Sequence, residues 1–196
     1  MQTVKRMLFV LLGTLLLALP AVAAKWEVDK AHSSVNFKVS HMVISTVNGR
    51  FDTFDGTVNF DPEDLAKGSV EMTIDVASIS TDNEKRDGHL KSADFFDVEK
   101  YPKITFKSKK VILGEGKHFQ LVGDLTIKDV TKEVTFDCAF HGAVDFMGTT
   151  KAGFACTTTI DRQDFHVNWS KTLDNGGLVA GDEVEITVDL ELNKAK

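Results

Sequence analysis

VTFDCAFHGAVDFMGTTKAGFACTTTI, residues 134–160, reads as two runs of alternating apolar residues folded about a turn. A turn centred on Met147 sets Phe140 opposite Phe154, Cys138 opposite Cys156, Phe136 opposite Thr158 and Val134 opposite Ile160. Seven of these eight side chains are apolar or soft and fall on one face. A one-residue slip would set Phe140 against Ala155 or Gly153 and lose the match. The stretch therefore predicts an antiparallel hairpin with one buried face. The same register makes Cys138 and Cys156 cross-strand neighbours. Directly opposed residues hold their Cβ atoms about 4.5–5.5 Å apart, against about 3.5–4.5 Å in a disulfide. A bridge needs only modest local adjustment, and the alternative is two buried thiols packed as small hydrophobes.

Period-two alternation recurs along the chain, in Val35-Phe37-Val39, Val58-Phe60, Val70-Met72-Ile74-Val76, Ile104-Phe106 and Val184-Ile186-Val188-Leu190. Asp61-Pro62, Gly114-Glu115-Gly116 and Asn175-Gly176-Gly177 punctuate these runs as turns. An all-β, antiparallel fold with short connections follows. Asn48-Gly49 predicts a further hairpin that opposes Val39 to Val58 and Phe37 to Phe60, with a helical turn over Met42 to Val47 as the alternative. In that register His41 continues the apolar face and stands opposite Gly56. There it meets a ligand head group or bonds a backbone carbonyl. Alternation alone leaves sandwich and barrel open; an eight-stranded barrel would hold one small ligand or a thin chain in its lumen.

Ile79 to Pro102 (ISTDNEKRDGHLKSADFFDVEKYP) interrupts the strands. Thr81 and Glu84 have capping-box spacing for a short helix, Ser92 has the position of a second start, and Pro102 ends the segment. Long non-strand insertions in compact β domains are usually functional. A charged front (Asp82, Glu84, Lys85, Arg86, Asp87) followed by Leu90, Phe95 and Phe96 describes a plug or lid with its apolar residues turned inward. Arg86, Asp87 and His89 form either a head-group site at a barrel mouth or a local network that holds the loop down. Phe165 and Trp169 are placed to form a rim near a strand end.

Lys5 and Arg6, an apolar run from Met7 to Leu19 and small residues ending at Ala24 read as a cleaved secretory leader, 1–24. Residues 25–196 then form one domain, expected in a Gram-negative periplasm, where the compartment favours disulfides. The chain carries 29 acidic and 23 basic residues; without Lys5 and Arg6 the net charge goes from −6 to −8. This balance argues against nucleic-acid partners. Fourteen Phe against one Tyr and two Trp favours an oily interior over the polar-handled platforms that sugars and nucleobases use. Nucleophile-elbow, zincin, P-loop and paired Cys-x-x-Cys motifs are absent, and the six histidines lack close metal-ligand spacing. No enzyme activity, catalytic cofactor or metal is expected.

Arg86-Asp87-x-His89-Leu90-x-Ser92-x-Asp94-Phe95-Phe96 followed by Tyr101-Pro102 resembles the signature of the YceI-like family. Further matches are His32-Ser33-x-Val35-x-Phe37-x-Val39-x-His41, Gly49-Arg50-Phe51-x-x-Phe54-x-Gly56, Gly123-Asp124-Leu125-Thr126-x-Lys128-x-Val130-Thr131-Lys132 and Ala152-Gly153-Phe154. The resemblance implies an exported, lipocalin-like eight-stranded antiparallel barrel enclosing a polyisoprenoid or similar long-chain lipid. Cys138 and Cys156 depart from the family pattern. The expected ligand-binding residues are Phe37, Val39, His41, Phe60, Met72, Ile74, Leu90, Phe95, Phe96, Phe106, Phe136, Phe140 and Phe154. Arg86, Asp87 and His89 are expected at the lid or head group. The expected role is non-catalytic binding, transport or sequestration of a polyprenol, quinone tail or acyl lipid, with transient membrane encounter and a homodimer as accompanying partners. The alternatives are an enzyme acting on a lipid or small electrophile, and a stress or redox protein-binding partner.

Overall fold

In the computed structural model, which describes residues 24–174 and 176–195, the strands are β1 (Ala24–Val28), β2 (Ser34–His41), β3 (Ser45–Phe51), β4 (Phe54–Asp61), β5 (Asp64–Asp75) and β6 (Ile79–Ser80), then, after helix α1 (Glu84–Lys91), β7 (Lys103–Leu113), β8 (His118–Ile127), β9 (Val130–Phe146), β10 (Thr149–Asp161) and β11 (Ala180–Lys194). They share one sheet in the order β1-β4-β5-β7-β8-β9-β10-β11-β2-β3-β6, and β1 also pairs with β11. Eleven segments thus make eight staves. β1 and β2 follow one another along β11, with Val28 opposite Leu192 and Val39 opposite Val184. β3 and β4 return beside them, Val47 against Val39 and Val58 against Trp26. β5 and β6 flank that stave in turn, Val70 against Val58 and Ile79 against Phe51. The result is an antiparallel eight-stave barrel with one short helix, as the family resemblance implies, and it decides the choice between sandwich and barrel that alternation left open. Ring closure removes the open edges that an alternating sheet would otherwise present. The leader, apart from Ala24 in β1, lies outside the described residues, among which no helix is long and apolar enough to cross a membrane.

Alternating chain direction sorts the connections to two ends. The turn 42–44, residues 81–102, the β8–β9 turn and residues 162–174 and 176–179 gather at one end, the lid end. The far end holds the turns after β4, β7 and β9 together with Ala24 and Lys194.

The deciding hairpin forms with Phe140 opposite Phe154 and Cys138 opposite Cys156. Its turn differs from expectation. Phe146 pairs with Thr149, so the turn is the two-residue Met147-Gly148, with φ of 49° and 80°, the positive pair a tight hairpin needs. One extra residue, His141, bulges from β9 and restores the predicted register at Phe140. The ladder ends at Asp137–Thr157, so the expected Phe136–Thr158 and Val134–Ile160 pairs are not part of it. On its other side Phe136 pairs with Leu121 of β8.

The Asn48-Gly49 hairpin does not form. Met42-Val43-Ile44 turns the chain, and Asn48 and Gly49 lie within β3, where Gly49 faces Phe37. A Cβ built on Gly49 would stand 2.2 Å from Phe37 Cζ, a clash with the tip of the ring, so this glycine is a seat for an aromatic rather than a turn. Val58 accordingly pairs with Trp26 and Val70, Gly56 with Met72, and His41 with Ser45 and Ala180.

An aromatic cluster fills the far end. Trp26, fully buried, stacks on Phe60 at 4.6 Å and donates from Nε1 to the Phe60 carbonyl at 3.2 Å. Phe60 meets Phe154 and Phe140 edge-on at 5.0 and 5.9 Å, and those two stack at 4.9 Å. At about 1.5–3 kcal/mol per buried large apolar side chain, this group is a major part of the core.

Candidate functional site: an apolar barrel cavity under a lid

Inward-facing residues of the staves leave a cavity of about 370 Å³, within the range of small-molecule sites. Phe37, Val39, Phe60, Met72, Ile74, Phe106, Phe136 and Phe154 line it, as do Val184, Ile186, Val188 and Leu190 of β11. Along β5 the lining runs from Leu65 to Ile74, roughly 30 Å of strand, so the space is long and narrow. The β5–β7 ladder covers only Glu71–Asp75 against Lys103–Lys107; past it the Val70 N–H donates to Ser108 Oγ at 2.8 Å, and Leu65, Gly68 and Ser69 line the cavity. Phe140 is not a lining residue. It belongs to the far-end cluster, under the Lys117 ammonium 5.7 Å from its ring.

Cys138 and Cys156 are disulfide-bonded, with Cα atoms 4.1 Å apart, and Cys156 lines the cavity. The bond therefore staples two staves from the inside.

Residues 81–102 cover the lid end. Helix α1 is capped by Asn83, whose side chain accepts from the Arg86 N–H at 3.0 Å, rather than by Thr81. Thr81 is buried and organises the helix start: its N–H donates to Asp87 Oδ1 at 2.9 Å, its hydroxyl bonds the same oxygen, and its Oγ1 accepts from Arg86 Nε at 2.7 Å. Ser92 starts no second helix. It closes α1, its N–H donating to the His89 carbonyl at 3.1 Å. Asp87 is thus turned to Thr81 and does not line the cavity, whereas Arg86 and His89 do. Among the described residues Arg86 forms no ion pair, and its guanidinium donates only from Nε and Nη2, both to Thr81. His89 Nε2 lies 2.9 Å from Asp94 Oδ2, and its ring meets Phe95 and Trp169 edge-on at 5.0 and 5.4 Å. Phe96 meets Phe51 edge-on at 6.2 Å. Leu90, Phe95, Phe96 and the half-buried His41 complete the lining at this end.

Arg162 has no counterpart in the sequence reading. It is 6% exposed and lines the cavity with Phe165 and Trp169. Nε donates to the Gly181 carbonyl, Nη1 to those of Val167 and Trp169, and Nη2 to Ala180 and the Asp182 carboxylate. A buried guanidinium satisfied in this way fixes the loop between β10 and β11.

Outside the barrel, Asp29, His32 and Glu191 bring ligand atoms within 4.8 Å of one another. The Lys151 ammonium already stands between the carboxylates, 3.0 Å from Asp29 and 2.6 Å from Glu191. Its hydrogen bond, helped by His32, the Ala31 N–H and Asn193, holds the Asp29 carboxyl far below the usual range against a smaller opposing effect of burial.

The sequence and the fold have relatives among known proteins. The chain is 41% identical over 167 residues to the UPF0312 protein SA2479 of Staphylococcus aureus (strain N315), covering 84% of this chain and 95% of that one. Among solved structures it is similar to Burkholderia cenocepacia BcnA (TM-score 0.71, 30% identity, 84% and 98% of the two chains) and to a Campylobacter jejuni YCEI protein (0.71, 33%, 86% and 96%). A polyisoprenoid binding domain from Saccharophagus degradans, 16% identical, has the same fold at a TM-score of 0.66 over 88% and 99% of the chains. With a YceI-like domain matched over residues 26–192, the chain belongs to the YceI-like family.

Proposed function

We propose that this protein encloses a long-chain polyisoprenoid, or a lipid with a comparable tail, and carries or sequesters it in the periplasm without chemical change. The observation that carries this reading is the cavity: a long space walled by Phe, Val, Ile and Leu, bounded at the far end by an aromatic cluster and at the other by a lid. A chain of methylenes gains about 0.8 kcal/mol for each one removed from water, and such a wall supplies the contact along its whole length. The fold shared with a polyisoprenoid binding domain supports the same ligand class. Arg86 and His89 stand where a polar head would end, and the free Nη1 of Arg86 suits an oxygen acceptor such as a phosphate or a quinone carbonyl. We read the far-end residue Phe140 as stopping the tail rather than flanking it.

Mass spectrometry of an organic extract of the purified mature protein tests the reading, with an isoprenoid or acyl lipid expected at near-stoichiometric amount. Phe136→Glu places an unpaired charge in the wall, at a cost of several kcal/mol unless it neutralises, and should empty the barrel. A folded wild-type protein that yields no lipid and takes up neither a polyprenol nor a long-chain quinone would overturn it.

A further inference from the structure

The β2–β3 hairpin ends in Met42, Val43 and Ile44, which are 37, 67 and 84% exposed. Two rules of turn chemistry are broken together here. Met42 and Val43 have φ of 54° and 64°, a conformation that Gly, Asn and Asp take readily and a β-branched residue takes only under strain. The same positions expose apolar side chains where polar ones are usual. Strain and exposure also coincide at Met147, with φ of 49° and 90% exposure, so it is the place of the Met42–Ile44 tip that sets it apart.

The position of the tip says what it meets. Val39 and His41 on one arm and Val47 on the other line the cavity, so the tip stands at its rim. The Met42 N–H donates to the Val179 carbonyl at 2.9 Å, which holds the tip against the loop that carries Trp169. From Val39 to Gly49 the sequence has no Asp, Glu, Lys or Arg, in a chain with 29 acidic and 23 basic residues. An uncharged apolar prong does not match a charged protein surface, and it meets no electrostatic penalty at a bilayer interface.

We propose that Met42-Val43-Ile44 inserts into the interfacial layer of a lipid bilayer and seats the lid end of the barrel on it. The purpose of this docking, passage of a lipid between bilayer and cavity, rests on the function proposed above; the docking itself does not. The other exposed large apolar side chains among the described residues, Ile112, Leu113, Val144, Phe146 and Met147, lie at the far end, and Phe146 with Met147 at its turn provides the orientation control.

The experiment is flotation of the mature protein with neutral phosphatidylcholine vesicles. Wild type is expected to float, and the double variant Val43→Asn, Ile44→Ser to lose tenfold or more of its bound fraction. Asn accepts positive φ, so the variant's thermal midpoint should not fall, which separates lost docking from misfolding. Phe146→Ser with Met147→Ser should float like wild type. A wild type that stays in the dense fraction, a hairpin variant that floats equally well, or a loss confined to the far-end variant would each overturn the proposal. So would light scattering in which the hairpin substitutions dissolve a dimer, since the tip would then cover a second copy. Hairpin-dependent flotation of a protein whose extract contains no lipid would support the docking while removing the cargo reading.

Discussion

Trp169 stacks on Phe95 with ring centroids 5.3 Å apart and planes inclined by 30°, so the lid after β6 rests on the loop after β10. The two sides of this contact differ in rigidity. The Trp169 carbonyl accepts from Arg162 at 2.9 Å, within a set of bonds that pins its loop. Helix α1 has no fully buried residue. The lid is therefore the less anchored side of the contact, and the side expected to yield when the stack is removed.

Removing the stack should loosen the lid without unfolding the barrel. An aromatic pair contributes about 0.5–1.5 kcal/mol beyond its buried area, and 1.4 kcal/mol corresponds to about tenfold in an equilibrium constant. Phe95→Ala and Trp169→Ala should each speed release of a fluorescent polyprenol roughly tenfold while far-UV circular dichroism stays unchanged. Equal release rates in wild type and both variants would mean that exchange does not pass through the lid end.

Arg162→Met tests the seat. The substitution keeps much of the volume but leaves the carbonyls of Val167, Trp169, Ala180 and Gly181 without this donor and Asp182 without its cation. Breaking a buried, hydrogen-bonded charge site costs about 3–5 kcal/mol, expected as a thermal midpoint lower by roughly 10 °C. A shift of only a degree or two would show that solvent or the loop itself satisfies those carbonyls.

The wall was legible in the sequence because each stave has one inward face: Phe37, Met72, Phe106 and Phe136 stand where period two puts them. The exceptions have separate physical causes. β8 escaped because Leu121, Val122 and Gly123 are all buried, which erases alternation. β3 escaped because its Asn48-Gly49 carries the strongest turn signal nearby, although Gly49 only makes room for the Phe37 ring. The actual turn, Met42-Val43-Ile44, has none of the residues that announce one. Arg162 was hidden because four of its five partners are backbone carbonyls, which have no signature in a sequence, and the fifth, Asp182, lies twenty residues away. The capping box misled by one turn of logic: Thr81 bonds Asp87 and Arg86 within the helix start, and Asn83 is the cap.

The disulfide between Cys138 and Cys156 closes a segment with a sequence separation of 18. Chain entropy assigns about 3 kcal/mol to a loop of this order. The double substitution to Ser, or full reduction, should lower the thermal midpoint by roughly 5–10 °C and leave the lipid content of the extract unchanged, since Cys156 is one lining residue among many. Non-reducing peptide mapping of protein isolated without reductant should recover the two cysteines as one cross-linked peptide. Recovery of two alkylated thiols instead would reject the staple.

Asp29 and Lys151 give the barrel an acid-sensitive latch between the β1–β2 corner and β10. Lys151 lowers the Asp29 carboxyl well below its ordinary 3.8, while Glu191 first and Asp29 second raise the Lys151 ammonium above 10.5. A carboxyl depressed on folding stabilises the native state above its unfolded value and loses that contribution as pH falls through the folded one. A raised ammonium contributes fully below about 10.5 and is lost only on the alkaline side. Both contributions are therefore complete from pH 5 to 8. Lys151→Met should lower the urea midpoint by a constant amount across that window. Below about pH 4 wild type begins to lose the Asp29 contribution, and the gap between the two proteins should narrow. Urea titrations from pH 2.5 to 8 read this directly, and a gap that persists undiminished at pH 2.5 would assign the effect of Lys151 to packing of its methylenes rather than to charge.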